Sequence, residues 1–319
     1  MLKYSLRRIP SALLVLVAGS VLIFVLLRLV PGDPASMLAG PDASPEALTT
    51  LRNDLGLNGS QIGQYFAWIG GILTLDPGRS LILGGDIGTL LRDAVGNTLI
   101  LSGTALVLAV VVALVASTVS VIVDRGWLNS VVTAFGTVAV AIPNFVTGAI
   151  LVVLFGVVWM VLPAGGIPRR GFGDDLGITA QYLILPACCL ALPIAAALTR
   201  FLTESLRSRL TEPYVTTARA LGIGRARIVL TQVLPNALPA TVTVLGIQIG
   251  HLLGGAVLVE AIFAWPGLGY LIERAISSRD YPVVQVLLLL SVGLFVIVQL
   301  LTDLVNAWLD PRIRLEGKP

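Results

Sequence analysis

The sequence predicts an all-α polytopic membrane protein: six transmembrane helices, a long extracytoplasmic segment after the first, and a short cytoplasmic helix between the fourth and fifth. Three observations carry this reading. Of 319 residues, 56% are hydrophobic and 12% charged, and the mean hydropathy is +0.92, whereas a soluble domain carries about 25% charged residues. So many apolar side chains cannot all hide in one core of this length, and much of the surface must face lipid. Uncharged stretches of the length a helix needs to cross a bilayer, about 20 residues, recur along the chain. Lys and Arg, finally, fall unevenly on the two sides that those stretches define.

The predicted spans are 9–30, 97–123, 130–162, 182–199, 237–262 and 283–304. Lys3, Arg7 and Arg8 precede the first, in the manner of a signal peptide. Its apolar run is longer than a signal's, however, and "LRLVPGDPAS" offers no A-x-A-like cleavage site, so 1–30 reads as a tail and a retained anchor. Segment 31–96 is the sizeable piece outside the membrane, with helical patterns at 47–55 and 62–75. Asp33, Asp42, Glu46, Asp54, Asp76, Asp86 and Asp93 there oppose only Arg52, Arg79 and Arg92. An acidic cap that receives a protein and an ordinary solvated loop explain those charges equally. Region 97–310 forms the membrane core, with a polar loop at 200–236, and 311–319 is a tail. Pro143-Asn144 interrupts the third span, which predicts a short lead-in helix, a kink and one crossing.

With the N-terminus inside, the inner side holds Lys3, Arg7, Arg8, Arg125, Arg200, Arg207, Arg209, Arg219, Arg225, Arg227, Arg312, Arg314 and Lys318. The outer side holds Arg28, Arg52, Arg79, Arg92, Arg169, Arg170, Arg274 and Arg279, giving 13 against 8. Both termini and the loop at 200–236 are therefore expected in the cytoplasm.

That loop contains "EPYVTTARALGIGRARIVLTQVLPNALP", beginning at Glu212. Thr211 is the expected N-cap, with Glu212 and Pro213 in the first turn. Val215, Ala218 and Leu221 are expected on one face, joined by Tyr214. Gly222 suits the left-handed geometry that ends a helix, and Gly224 loosens the chain before Arg225 and Arg227. A helix of this kind lies on the membrane surface, its arginines among anionic headgroups, or it is a knob for a soluble partner. The small side chains favour the knob, because a surface anchor presents Trp, Phe or several Leu.

Several chemistries are excluded. A net charge of +3 offers no basic face large enough to track phosphates, so no nucleic-acid partner is expected. Cys188 and Cys189 are adjacent within an apolar run and read as packing residues. "GGDIGT" and "GIGRAR" lack the lysine of a phosphate-binding loop. A single histidine cannot supply a hydrolase triad or a metal site, so no catalytic or metal-ligating residue is predicted. Ionisable groups within the spans are few: His251 and Glu260 in the fifth, with Gln248 one turn before His251, and Asp303 in the sixth. A proton-coupled carrier would have to rest on His251 and Glu260.

"TTARALG" followed by "QVLPNALP" resembles the cytoplasmic coupling signature of ABC-importer permeases. Thr216, Thr217 and Ala218 fill its first triplet, Gly222 its glycine, and Gln232, Leu234 and Pro235 its end; Thr216, Thr217 and Gln232 depart from the generic pattern and are similar to peptide-type permeases. "LRRIPSALLVLVAGSVLIFVLLRLVPGDPA", "DPGRSL", "NTLIL", "AIPNFV", "LILPACCLALPIAAALTR", "GGAVLVEAIFAWPGLG", "RDYPVVQ" and "LDPRIR" resemble, in order, the first permease subunit of oligopeptide, dipeptide and nickel importers. The resemblance implies a multi-pass subunit of a bacterial plasma membrane. It pairs with a second, homologous permease, two ATP-binding subunits that carry ATP and Mg, and an extracytoplasmic substrate-binding protein. This chain would hold no cofactor and break no bond. The implied coupling helix contains Glu212, Tyr214, Val215, Thr217, Ala218, Arg219, Leu221, Gly222 and Arg225. Pro143, Asn144, Gln248, His251, Glu260 and Trp265 are the expected pathway or gate residues. Peptides are the expected cargo; nickel or another small solute is the alternative within the family.

Overall fold

The computed structural model describes residues 2–29, 35–36, 44–54, 58–168, 171 and 175–309. The expectations for Asp33, Asp42, Arg169, Arg170 and the tail 311–319 lie outside the described residues, as does the placement of the Asp303 side chain. Every regular element among the described residues is a helix; backbone pairing across strands is limited to an isolated bridge between Arg79 and Asp86.

Helix α1 (Leu2–Leu29) is the most exposed of the long apolar helices. After α2 (Pro45–Asp54), helix α3 (Gln61–Leu73) lies against it through an aromatic cluster. Phe24 meets Tyr65 edge-on and stacks on Trp68, Ser20 Oγ and Tyr65 OH are 2.8 Å apart, and Arg28 reaches Gln64 across the Phe24 ring. Aromatic rings beside a span end suit the interface between lipid and water.

Helix α4 (Ile87–Val123) starts ten residues before the predicted span and ends at Asp124, in the left-handed region at φ 49°. An Asp tolerates this geometry better than most side chains. Its buried stripe is made mainly of small residues, among them Ala94, Ser102, Ala105, Ala109, Ala113 and Ser117. Small side chains let two backbones approach, and against this stripe packs α7 (Leu176–Arg209), the most buried long helix. Asp175 Oδ1 caps α7 by accepting from the N–H groups of Gly177 and Ile178.

The third predicted span is a broken pair. Helix α5 (Gly126–Ala141) meets α6 (Asn144–Leu151) at a 105° bend, and α6 runs on into a π-helical turn, Val152–Val158. The first arm is longer than the lead-in expected. Pro143 accounts for the break: it forces Ile142 out of helical geometry, to ψ 123°.

After α7 come α8 (Pro213–Ala220) and α9 (Arg225–Ile228), which passes through a π-helical turn, Val229–Val233, into α10 (Leu234–Ile262). The π turn precedes Pro235 and Pro239, which lack N–H donors. Two side chains bond back to backbone carbonyls in the same stretch: Thr231 Oγ1 donates to the Arg227 carbonyl and Asn236 Nδ2 to that of Gln232. Helix α11 (Leu268–Ser277) folds back on α10 so tightly that a Cβ at Gly269 would fall against the Val257 backbone. Helix α12 (Tyr281–Leu309) returns beside α1.

Among the described residues, five helices are long and apolar enough to cross a membrane, or six counting the bent pair. Several outrun the predicted spans, as in α7, where 34 residues replace an expected 18. Hydropathy marks the part of a helix that lipid covers, and the helix itself continues into polar surroundings.

Candidate functional site

One end of the bundle carries α8. Glu212, rather than Thr211, occupies the N-cap position without a capping side-chain hydrogen bond, and Pro213 opens the helix. Val215 and Ala218 are buried in a cluster with Val121 of α4, Leu202 and Leu206 of α7, and Ile228, Val229 and Val233. Tyr214 packs beside them. Leu221 does not share that face: it is 74% exposed, because the helix closes just before it. Gly222, at φ 75°, donates to the Arg219 carbonyl, and Ile223 donates to that of Ala218, which closes the helix with paired hydrogen bonds. The outward surface is therefore Thr216, Thr217, Arg219, Ala220 and Leu221. Val215 and Ala218 fasten the helix to its own bundle.

Arg225 also reaches back to its own bundle, although its side chain stays 42% exposed. Its Nε donates to the Val121 carbonyl at 3.0 Å and its Nη2 pairs with Asp124 Oδ2 at 2.7 Å. It thereby satisfies one of the carbonyls that α4 leaves open at its C-terminus. Arg209 and Glu212 form a looser, exposed pair at 3.8 Å.

The expected pathway residues separate into three places. Pro143 and Asn144 form the elbow between α5 and α6, where the Asn144 carbonyl accepts from Cys189 Sγ. Gln248 lines a cavity of about 1040 Å³ between α4, α5, α7 and α10, whose other polar walls include Asn129, Thr137, Arg200, Glu204 and Arg207. His251 lies one turn further along α10 and is exposed.

Glu260 and Trp265 are fully buried at the opposite end. Thr98 Oγ1 donates to Glu260 Oε1 at 2.7 Å, and the Gly269 N–H donates to Oε2 at 2.6 Å. The Leu268 N–H donates to Thr98 Oγ1, Trp265 Nε1 to the Asn97 carbonyl, and Asn97 Nδ2 to that of Pro266. Glu260 thus serves the start of α11, where a carboxylate meets free N–H groups and the positive end of the helix dipole. Nine residues separate it from His251, roughly 14 Å along a helix, so the two do not form a proton relay.

Four residues were missed in the sequence: Asn97, Thr98, Asp124 and Asp280. Asp280 accepts from Ser80 Oγ and from the N–H groups of Leu81, Ile82 and Leu83. Asn97 and Thr98 open the "NTLIL" stretch, and Ser80 and Asp280 lie in "DPGRSL" and "RDYPVVQ". Polar residues at the ends of apolar runs were the available signal.

Residues 122–315 match the family model described as binding-protein-dependent transport system inner membrane component, and residues 1–84 match that of its N-terminal region. The chain belongs to this family. It is a membrane permease component of such a transport system. Permeases of this family similar to it along their whole length include a protein named as a peptide ABC transporter permease, y4tP, from Sinorhizobium fredii, 34% identical over 98% of this chain and 99% of the relative. A protein named as a peptide permease from Brucella suis is 33% identical over 99% and 100%. The glutathione transport system permease protein GsiC of Escherichia coli is 32% identical over 98% and 99%.

Proposed function

We propose that this permease is one membrane half of an ATP-driven importer for peptides. The observation that carries the reading is end-to-end similarity to permeases named for peptides and glutathione, over 98–99% of this chain. The reading has six crossings, with the bent pair α5–α6 as the third. Both termini and α8 lie in the cytoplasm, and segment 31–96 caps the outer side. The distribution of Lys and Arg supports that orientation.

In the proposed assembly a second permease completes the pathway, two ATP-binding subunits carry ATP and Mg, and an extracytoplasmic protein delivers cargo. Helix α8 is the knob that one ATPase grips. Its firmly seated inner face and free outer face support this role, since a helix that transmits a push must not slip on its own bundle. The cavity at Gln248 is this chain's share of the pathway. Arg200, Glu204 and Arg207 put both signs of charge on its wall, which suits a zwitterionic peptide better than a bare metal ion.

Reconstitution of this chain with its neighbouring permease, ATPases and binding protein in proteoliposomes tests the proposal. Labelled di- and oligopeptides and glutathione should enter only when ATP is supplied. Uptake by this chain alone, driven by a proton gradient without ATP, would overturn it in favour of a carrier.

A further inference from the structure

Two polar clusters, far apart in the molecule, tie together the same two helices. At the α8 end, Arg225, which opens the rod formed by α9, the π turn and α10, grips Val121 and Asp124 at the last turn of α4. At the opposite end, Glu260 in the last turn of α10 grips Thr98 of α4, and Trp265 and Asn97 add two hydrogen bonds between α4 and the loop that joins α10 to α11. From Thr98 to Val121 is about 35 Å along a helix, comparable with the roughly 30 Å hydrocarbon core.

Between these two ends α4 and α10 touch little, because α7 lies between them and packs on both. Local packing accounts for α4 against α7 and for α7 against α10. Beyond their local roles at helix ends, Glu260, buried at one end, and Arg225, half-exposed at the other, each add a hydrogen bond from this rod to α4. A buried carboxylate without partners would be strongly destabilising, and Glu260 has partners on α4, in Thr98, and on α11, in Gly269.

We infer that Arg225 and Glu260 are positioning residues that clamp α4 to α10 at both ends and make α4, α7 and α10 one lever. This rests on the coupling role of α8. A push on α8 enters the rod at Arg225, and the clamps keep the rod from bending away from α4, so the displacement reaches α11 at the far end. Without either clamp, ATP is still hydrolysed, but less of the movement arrives where α11 closes the bundle.

The test uses the reconstituted assembly and reads peptide taken up per ATP hydrolysed. Thr98→Val should lower that ratio roughly ten-fold, the scale of one lost charge-assisted hydrogen bond, and Arg225→Ala, whose ion pair is exposed, by about three- to five-fold. Thr98→Ser retains the hydroxyl and should stay within about two-fold of the unaltered protein. Adding Asp124→Ala to Arg225→Ala should cause no further fall, since each acts through the other. Where Thr98→Val fails to assemble, Trp265→Phe reads the same clamp, keeping an aromatic ring but losing the donor to Asn97. Unchanged ratios in an active assembly, or equal damage from Ser and Val at position 98, would overturn the clamps alone. An unaltered assembly with no ATP-driven uptake would overturn the coupling role and the clamps with it.

Discussion

Asp280 shows how much one side chain can organise. It is fully buried between α11 and α12, and burial alone would raise its pKa. The hydroxyl of Ser80 and the N–H groups of Ile82, Leu83 and Leu81 outweigh that effect and hold it below the ordinary carboxylate value. Its contribution to stability is therefore present above the unfolded-state pKa, about 4, and is lost as pH falls through the lower folded value. Asp280→Asn should destabilise the protein at pH 7 by roughly 3 kcal/mol, because four donors lose a charged acceptor. Thermal unfolding in detergent checks this: the gap between variant and parent should narrow from pH 7 towards pH 3. A gap independent of pH would mean that Asp280 is not ionised when folded. Its place at the end of an apolar run marked this aspartate, but nothing local showed what it binds, since its partners lie about 200 residues away.

At the scale of elements, α8 tests the coupling assignment. Its glycine ending was legible, because position 222 requires a positive φ that few side chains adopt. Gly222→Ala should cost about 1 kcal/mol and weaken retention of the ATP-binding subunits on affinity purification. Ala218→Arg should be far more damaging, since it drives a charge among Val121, Leu206 and Val229, at a cost of at least about 3 kcal/mol. Unchanged assembly and uptake in both variants would dismiss α8 as the interface. The orientation of the helix was only partly legible. Spacing grouped Leu221 with Val215 and Ala218, but spacing assumes that the helix continues, and here it stops at Ala220. The bend in the third span was likewise signalled by Pro143, while its 105° angle depends on what the two arms pack against.

For the whole molecule, the decisive property is which end faces the cytoplasm. In a background without Cys188 and Cys189, a cysteine replacing Asn58 should react with a membrane-impermeant maleimide applied to intact spheroplasts. One replacing Ser208 should react only after permeabilisation. The reverse pattern would remove α8 from the reach of any cytoplasmic ATPase. The lever formed by α4, α7 and α10 belongs to this scale too, for no single helix reveals it. The carrier reading failed here for the same reason: His251 and Glu260 share a helix, but Glu260 is committed to Thr98 and Gly269.

Composition and run length determined that this chain is helical and membrane-spanning, since a continuous apolar run of about 20 residues satisfies its own backbone groups in lipid as a helix. Ordered motifs determined its family, and glycine and proline determined where helices end or break. Tertiary structure alone decided which polar residues are spent inside the fold. Whether Arg225, Glu260 or Asp280 meets solvent, a partner protein or its own backbone depends on contacts distant in sequence, and hydrogen bonds of that range leave no periodicity in the chain.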